Sequence, residues 1–209
     1  MRRNTPSSLE QPTLEEVRKK ASILVIDDHE FAYQSLFERD QYHIQRWPDV
    51  VNLSQLTDSS FDVILLDLHG VGLKESPEMQ GLGILRSIKD TNPTQLVVAY
   101  TSQEWGAKAQ NFFILADAVL AKDDDYVAFK AKVDEMLLRR FTPGYFIARM
   151  NETLGAQAIR VPKAVAIATS AIQHQSTEKL NSYLVKNITD QITIDRVLAI
   201  IGIALSLHA

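Results

Sequence analysis

Polar residues stand at the ends of short apolar runs. Asp27 and Asp28 follow Ile23-Leu-Val-Ile26, and Asp67 ends Phe61-Asp-Val-Ile-Leu-Leu66. Thr101 and Ser102 follow Gln95-Leu-Val-Val-Ala-Tyr100, and Lys122 follows Ala118-Val-Leu-Ala121. Three carboxylates brought together repel one another unless a cation joins them. An oxygen-rich set suits Mg²⁺, which takes carboxylates and keeps waters. Such an ion would also offset the charge of an incoming phosphoryl group. A phosphoryl group on Asp67 would bring further acceptor oxygens. Lys122 offers a compact cation for them and Thr101 a hydroxyl. Nucleophilic carboxylate, metal, cationic clamp and hydroxyl donor together make a phosphoryl-transfer set.

These residues are far apart in the chain, so the fold must gather them. The all-apolar runs suit strands buried on both faces of a parallel sheet. A further strand is predicted over Tyr42–Trp47, then a short helix near Val50–Leu56. Helix-like stretches lie between the runs, at about Glu30–Arg39, Leu82–Lys89, Glu104–Leu115 and Asp124–Arg140. Strand–helix alternation of this kind implies an α/β, doubly wound, five-stranded parallel sheet. In such sheets ligands bind outside the carboxyl ends of the strands, where these polar residues sit.

At the N-terminus, Met1–Glu10 is rich in Ser, Pro, Thr and Asn and reads as disordered. Thr13-Leu-Glu-Glu16 matches a capping box. Phe141-Thr-Pro-Gly144 reads as a break. Beyond it Tyr145–Leu154, Ala156–Gln173, Glu178–Lys186 and Ile192–Leu207 all favour helix, with Gly155, Ser176 and Thr189 between them. The expected organisation is an extension over 1–20, the sheet domain over 21–141 and an all-α segment over 142–209.

Composition narrows the functions. The chain of 209 residues is 45% hydrophobic and 23% charged, with a formal net charge of −4, so wholesale nucleic-acid binding is not implied. There is no cysteine, which removes thiol catalysis, disulfides and Cys-based zinc sites. No apolar run follows the basic start, and Val197–Leu207 is shorter than the roughly 20 residues of a membrane span. A soluble, cytoplasmic protein with no membrane contact is expected.

The stretches ILVIDDHE, FDVILLDLHG, VVAYTSQE and ADAVLAKDD, in this order over about residues 22–140, resemble the receiver domain of two-component response regulators. The resemblance implies a flavodoxin-like receiver and a phosphorelay role. Asp27 and Asp28 would hold Mg²⁺ with Asp67 and the backbone carbonyl of His69. Asp67 would accept a phosphoryl group from a sensor histidine kinase or phosphotransfer protein, and Thr101 and Lys122 would read it. The only chemistry implied is self-phosphorylation and self-dephosphorylation of Asp67, so the protein is not expected to be an enzyme in any other sense.

The chain also departs from that family pattern. The Pro77-xxx-Gly81 spacing begins ten residues after Asp67 rather than four, which implies an insertion of about six residues within Gly70–Ser76. Lys122 is followed by Asp123 instead of proline, and the cis peptide usual there is costly without proline. Val119 replaces the aromatic switch residue, a role for which Tyr100 is the substitute considered. A register slip would make Ser102 the hydroxyl. His29, His69 and His174 read as exposed residues rather than ligands or phosphotransfer groups.

From Phe141 to Ala209, Arg149, Arg160, Lys163, Lys179, Lys186 and Arg196 stand against Glu152, Glu178, Asp190 and Asp195, and the cations look dispersed. No helix groups them as a helix-turn-helix reader does. Ile192–Leu207 is apolar nearly all round, so it either centres a small bundle or joins a partner. Four roles follow for the whole chain, the last an enzymatic output domain, for which the tail offers no acid, histidine or glycine-loop cluster of its own. In the first, phosphorylation switches a helical protein-interaction segment or homodimer. The second is a DNA-binding transcriptional regulator. The third is a degenerate receiver used as an unphosphorylated scaffold.

Overall fold

The computed structural model describes residues 12–102 and 113–208. The chain divides into two compact units, one over Thr13–Arg140 and one from Phe141 onward. In the first unit the strands are β1 (Ser22–Ile26), β2 (His43–Trp47), β3 (Val63–Asp67), β4 (Leu96–Thr101) and β5 (Ala118–Ala121). All pair in parallel, in the order β2-β1-β3-β4-β5. This is the 2-1-3-4-5 order of the flavodoxin-like fold.

Residues of β3 and β4 are buried without alternation, because helices cover both faces of the sheet. Leu24, Ile26, Ile64, Leu66 and Val97 pack with Ile84, Leu85 and Ile88 of α3 (Gly81–Thr91). On the other face Tyr100 meets Phe129 of α4 (Tyr126–Arg140) and Phe31. Ile26 pairs with Leu66, Asp67 with Tyr100, and Thr101 with Ala121. The strands therefore end nearly level, and the residues after them meet on one rim.

The helix α1 (Leu14–Lys20), placed in the extension by sequence, packs inside this unit. Its capping box forms as expected: Thr13 Oγ1 accepts from Glu16 N and the Glu16 side chain accepts from Thr13 N. Val17 is buried, and Arg18 reaches Asp134 of α4 at 2.7 Å. Asp134 also accepts from Tyr42 and from Lys130 at 2.8 Å.

Several elements differ from expectation. The helix expected over Glu30–Arg39 is only α2 (Gln34–Arg39). Phe31 and Tyr33 leave the helical path to stack with Phe37, Tyr100, Tyr126 and Phe129, and Tyr33 Oη donates to Asp124 O at 2.8 Å. The helix expected near Val50–Leu56 is a single 3-10 turn at Ser54–Leu56. Most of the helix expected over Glu104–Leu115, and all of Met1–Glu10, lie outside the described residues.

In the second unit Pro143 opens a helix rather than breaking one, since the first turn needs no proline N–H. The helices are α5 (Pro143–Leu154), α6 (Ala164–His174), α7 (Glu178–Asn187) and α8 (Gln191–Leu207). The helix expected over Ala156–Gln173 splits into a 3-10 segment, Gly155–Arg160, and α6, with Pro162 between them. α8 buries Ile194, Val197, Ile200, Ile201 and Ala204 and contacts α5, α6 and α7, so it centres the bundle. Among the described residues no helix is long and apolar enough to cross a membrane.

Asp134 tests how α1 is held. Burial alone would raise its carboxyl, but hydrogen bonds from Arg18, Lys130 and Tyr42 outweigh this and hold it below the ordinary value. A depressed folded value means the stabilisation is present above the ordinary carboxylate range and is lost as pH falls through the folded value. Asp134→Asn is expected to cost about 1–3 kcal/mol at neutral pH and to flatten the acid limb of stability. Urea unfolding from pH 7 down to pH 2 measures both.

Candidate functional site

The level strand ends bring Asp27, Asp67 and Lys122 together. Lys122 Nζ lies 2.6 Å from Asp67 Oδ2 and 3.1 Å from Asp27 Oδ2. Asp27 and Asp67 are 3% and 2% exposed. Burial would lower the Lys122 ammonium, but its bonds to Asp67 and Asp27 hold it above the ordinary lysine value. For Asp67, burial pushes the carboxyl up. Lys122 and the His69 backbone N–H, 3.2 Å from Oδ1, draw it down, and the net value is raised. As measures of the pair's strength the two shifts are opposed. The charges reconcile them: one ammonium serves two buried carboxylates, so it stays protonated while Asp67 is under-compensated.

Tyr100 completes this group. Its hydroxyl donates to Asp27 Oδ2 at 2.6 Å, and its ring lies 5.4 Å from Lys122 Nζ. Burial, and then the bond to Asp27, raise its phenol above the usual value. Asp27 Oδ1 accepts from the His29 backbone N–H at 2.8 Å. Sequence reasoning placed Tyr100 among switch residues and missed this contact. The signal was the pairing of Tyr100 with Asp67 at the end of adjacent strands.

The other candidates fall as follows. Asp28 stands on the open side, with His29 Nδ1 2.8 Å from its Oδ1. Burial would raise it, but the His29 bond and the charges of His29 and Lys122 leave it below the ordinary value. Ligand atoms of Asp27, Asp28 and His29 lie within 4.8 Å of one another, and Asp67 joins them through Lys122. His69 is exposed at the β3 end and Ser102 is exposed after β4. Thr101 is buried, and its hydroxyl has no hydrogen-bond partner among the described residues. Val119 is half-buried on β5, and the Lys122–Asp123 peptide is trans.

The segment after β3 folds tightly beside the acids. Gly70 has φ +77, and a Cβ there would lie 2.5 Å from Asp28 Oδ2, so only glycine fits. Gly70 N donates to Gln80 Oε1 at 2.9 Å, and Gly72 N donates to Asp49 Oδ1. At Gly81 a Cβ would lie 2.1 Å from Asp67 O. The start of α3 is thereby pressed against the end of β3. A hollow of about 330 Å³, lined in part by Asp27, His29, Phe31, Tyr100 and Lys122, leaves the carboxylate–ammonium group reachable.

No family model and no curated protein matches the chain. Solved structures do. One is a CheY-like response regulator receiver domain protein from Methanospirillum hungatei, at 20% identity and TM-score 0.48, covering 57% of this chain and 95% of that one. The signal receiver domain of a DNA binding response regulator from Colwellia psychrerythraea matches at 22% identity and TM-score 0.45, covering 56% and 98%. NtrX from Brucella abortus matches at 16% identity and TM-score 0.49, covering 73% of this chain and 34% of that one. The likeness is one of fold. What the site does is argued from its own residues.

Those residues fit a hard divalent ion. Asp27 and Asp28 present oxygen donors side by side, and Asp67 lacks full charge compensation. Gly70→Ala is expected to displace the Asp28 carboxylate and weaken Mg²⁺ binding, read by isothermal titration. Because Asp67 binds its proton more tightly folded than unfolded, its contribution to stability falls as pH rises through that titration. Asp67→Asn removes this cost, so its thermal midpoint is expected to exceed that of the parent at neutral pH. A lower midpoint would contradict the under-compensated carboxylate.

Proposed function

We propose that the chain is a response regulator of the two-component type, with Asp67 as phosphoryl acceptor. The observation that carries this reading is the Asp67–Lys122–Asp27 group at the carboxyl rim of a 2-1-3-4-5 sheet. An Asp67 oxygen attacks phosphorus, the bond to the donor's leaving atom breaks, and that atom departs with the electron pair. Lys122 then meets a phosphoryl oxygen in place of the bare carboxylate. The Thr101 hydroxyl, without a hydrogen-bond partner among the described residues, supplies a donor once such an oxygen is present. Mg²⁺ bound by Asp27 and Asp28, with Asp67 and the His69 carbonyl, would offset the developing charge. The donor is a sensor histidine kinase or phosphotransfer protein. The chain's chemistry is confined to its own Asp67, in the cytoplasm, and the helical unit carries the output.

A second reading has an observation of its own. Asp27 Oδ2 already takes both Lys122 and the Tyr100 hydroxyl, which favours a receiver-like scaffold that is never phosphorylated. One experiment separates them. Acetyl phosphate with Mg²⁺ should add one phosphoryl group to the intact protein by mass spectrometry, and none to Asp67→Asn. An unmodified parent, with beryllofluoride also without effect on its amide spectrum, would leave the scaffold reading standing.

A further inference from the structure

The Arg46 guanidinium bonds to backbone, and among the described residues it makes no ion pair. Arg46 stands in β2 beside Val25, and its side chain reaches past the end of β1. Its Nη1 donates to the carbonyl oxygens of Asp27 at 2.7 Å and of His29 at 2.9 Å. The strand ladder shows why a side chain is needed there. Asp27 N donates to Trp47 O at 3.1 Å, and the chain then bends at Pro48 and Asp49, beyond the end of β2. The Asp27 and His29 carbonyls lie past that last rung, where the ladder offers no donor. Such carbonyls must be met by water or by a side chain.

The backbone held in this way carries the acid pair. Asp27 Oδ1 accepts from His29 N at 2.8 Å, and His29 Nδ1 lies 2.8 Å from Asp28 Oδ1. Ligand atoms of these three residues gather within 4.8 Å. Asp28, between the two clamped carbonyls, is exposed, so the direction of its carboxylate depends on the backbone beneath it. Charge and position then make opposite demands. A guanidinium beside the acids disfavours a divalent cation by simple repulsion. By charge alone, removing Arg46 would tighten Mg²⁺. By position, removing its two bonds would loosen the loop and weaken Mg²⁺. Groups that orient metal ligands are commonly worth about 10–100-fold in affinity. The repulsion is smaller, because Arg46 is only half-buried and its charge is screened by water and salt.

We propose that Arg46 is a positioning residue of the acid site, fixing the Asp27–His29 backbone so that the carboxylates of Asp27 and Asp28 are aimed at one divalent ion. This rests on the metal-assisted reading of the rim given above and names the side chain through which β2 sets its geometry. The sign of the change in Mg²⁺ affinity separates position from charge. Arg46→Met removes both the donors and the charge. Arg46→Lys keeps the charge, but its nitrogen stops one bond short of the place that Nη1 occupies.

The test titrates Mg²⁺ into the full chain by calorimetry, without phosphodonor. Arg46→Met should bind roughly tenfold more weakly than the parent. Arg46→Lys should lose less, and Arg39→Met, which removes a cation from the last turn of α2, should bind as the parent does. Amide hydrogen exchange on the metal-free protein gives a second reading. The His29 amide should lose protection in Arg46→Met while the amides of β3 keep theirs, which tells a loosened loop from a misfolded chain. Arg46→Lys carries both readings should Arg46→Met not fold. The proposal is overturned by equal or tighter Mg²⁺ binding in Arg46→Met, by unchanged protection at His29, or by a parent with no affinity for Mg²⁺. Phosphoryl uptake is read separately by mass spectrometry. A parent that takes no phosphoryl group from acetyl phosphate, with this order of affinities intact, counts against Asp67 as acceptor and not against Arg46.

Discussion

A single ammonium placed between two buried carboxylates governs the sheet unit. Lys122 sits at the end of an edge strand and Asp67 at the end of a central one. Their approach requires five strands in register and helices over both faces. An ion pair removed from water is favourable only when its geometry is good and its remaining valences are met. Tyr100 and the His29 backbone meet those of Asp27, while Asp67 is met by Lys122 and the His69 N–H. The rim therefore has more negative than positive charge. That imbalance is what makes it receptive to a metal ion, and also what makes it costly to hold.

Strands β1, β3 and β4 and the residues at their ends were readable in sequence because full burial permits only apolar side chains until the strand stops. Asp27, Asp67 and Thr101 each mark such a stop, and Lys122 follows the apolar run of the half-buried β5. Tyr100 was readable as a substitute switch residue, but its bond to Asp27 was not, because the hydroxyl of an aromatic inside an apolar run shows no partner in sequence. The start of α2 was misjudged for a related reason. Glu30–Arg39 has acceptable helix formers, but burying Phe31 and Tyr33 among Phe37, Tyr126 and Phe129 outweighs propensity. Helix ends in the second unit turned on Pro143 and Pro162, whose effects depend on whether a turn is opening or closing.

The lysines of the second unit show a different limit. Periodicity along one helix reveals Lys179 and Lys186 on a shared face, whereas the approach of the Lys163 backbone to Tyr183 is seen only in the fold. Electrostatic character of this kind belongs to neighbouring segments together. It is lost when charges are counted along the chain. α8 was legible in part: its lack of a polar face allowed either the centre of the bundle or a partner, and it contacts the other three helices of the unit.

Gly81 packs so closely on the Asp67 carbonyl that the first turn of α3 is anchored independently of what precedes it. Gln80 closes the preceding segment at its base by accepting from Gly70, and Asp49 ties its near end. Leu73, Lys74 and Glu75, at the tip, are exposed. The segment is thus a closed excursion whose length is uncoupled from the position of Asp67. An epitope could therefore be grafted at its tip with the carboxylates at its root left in place.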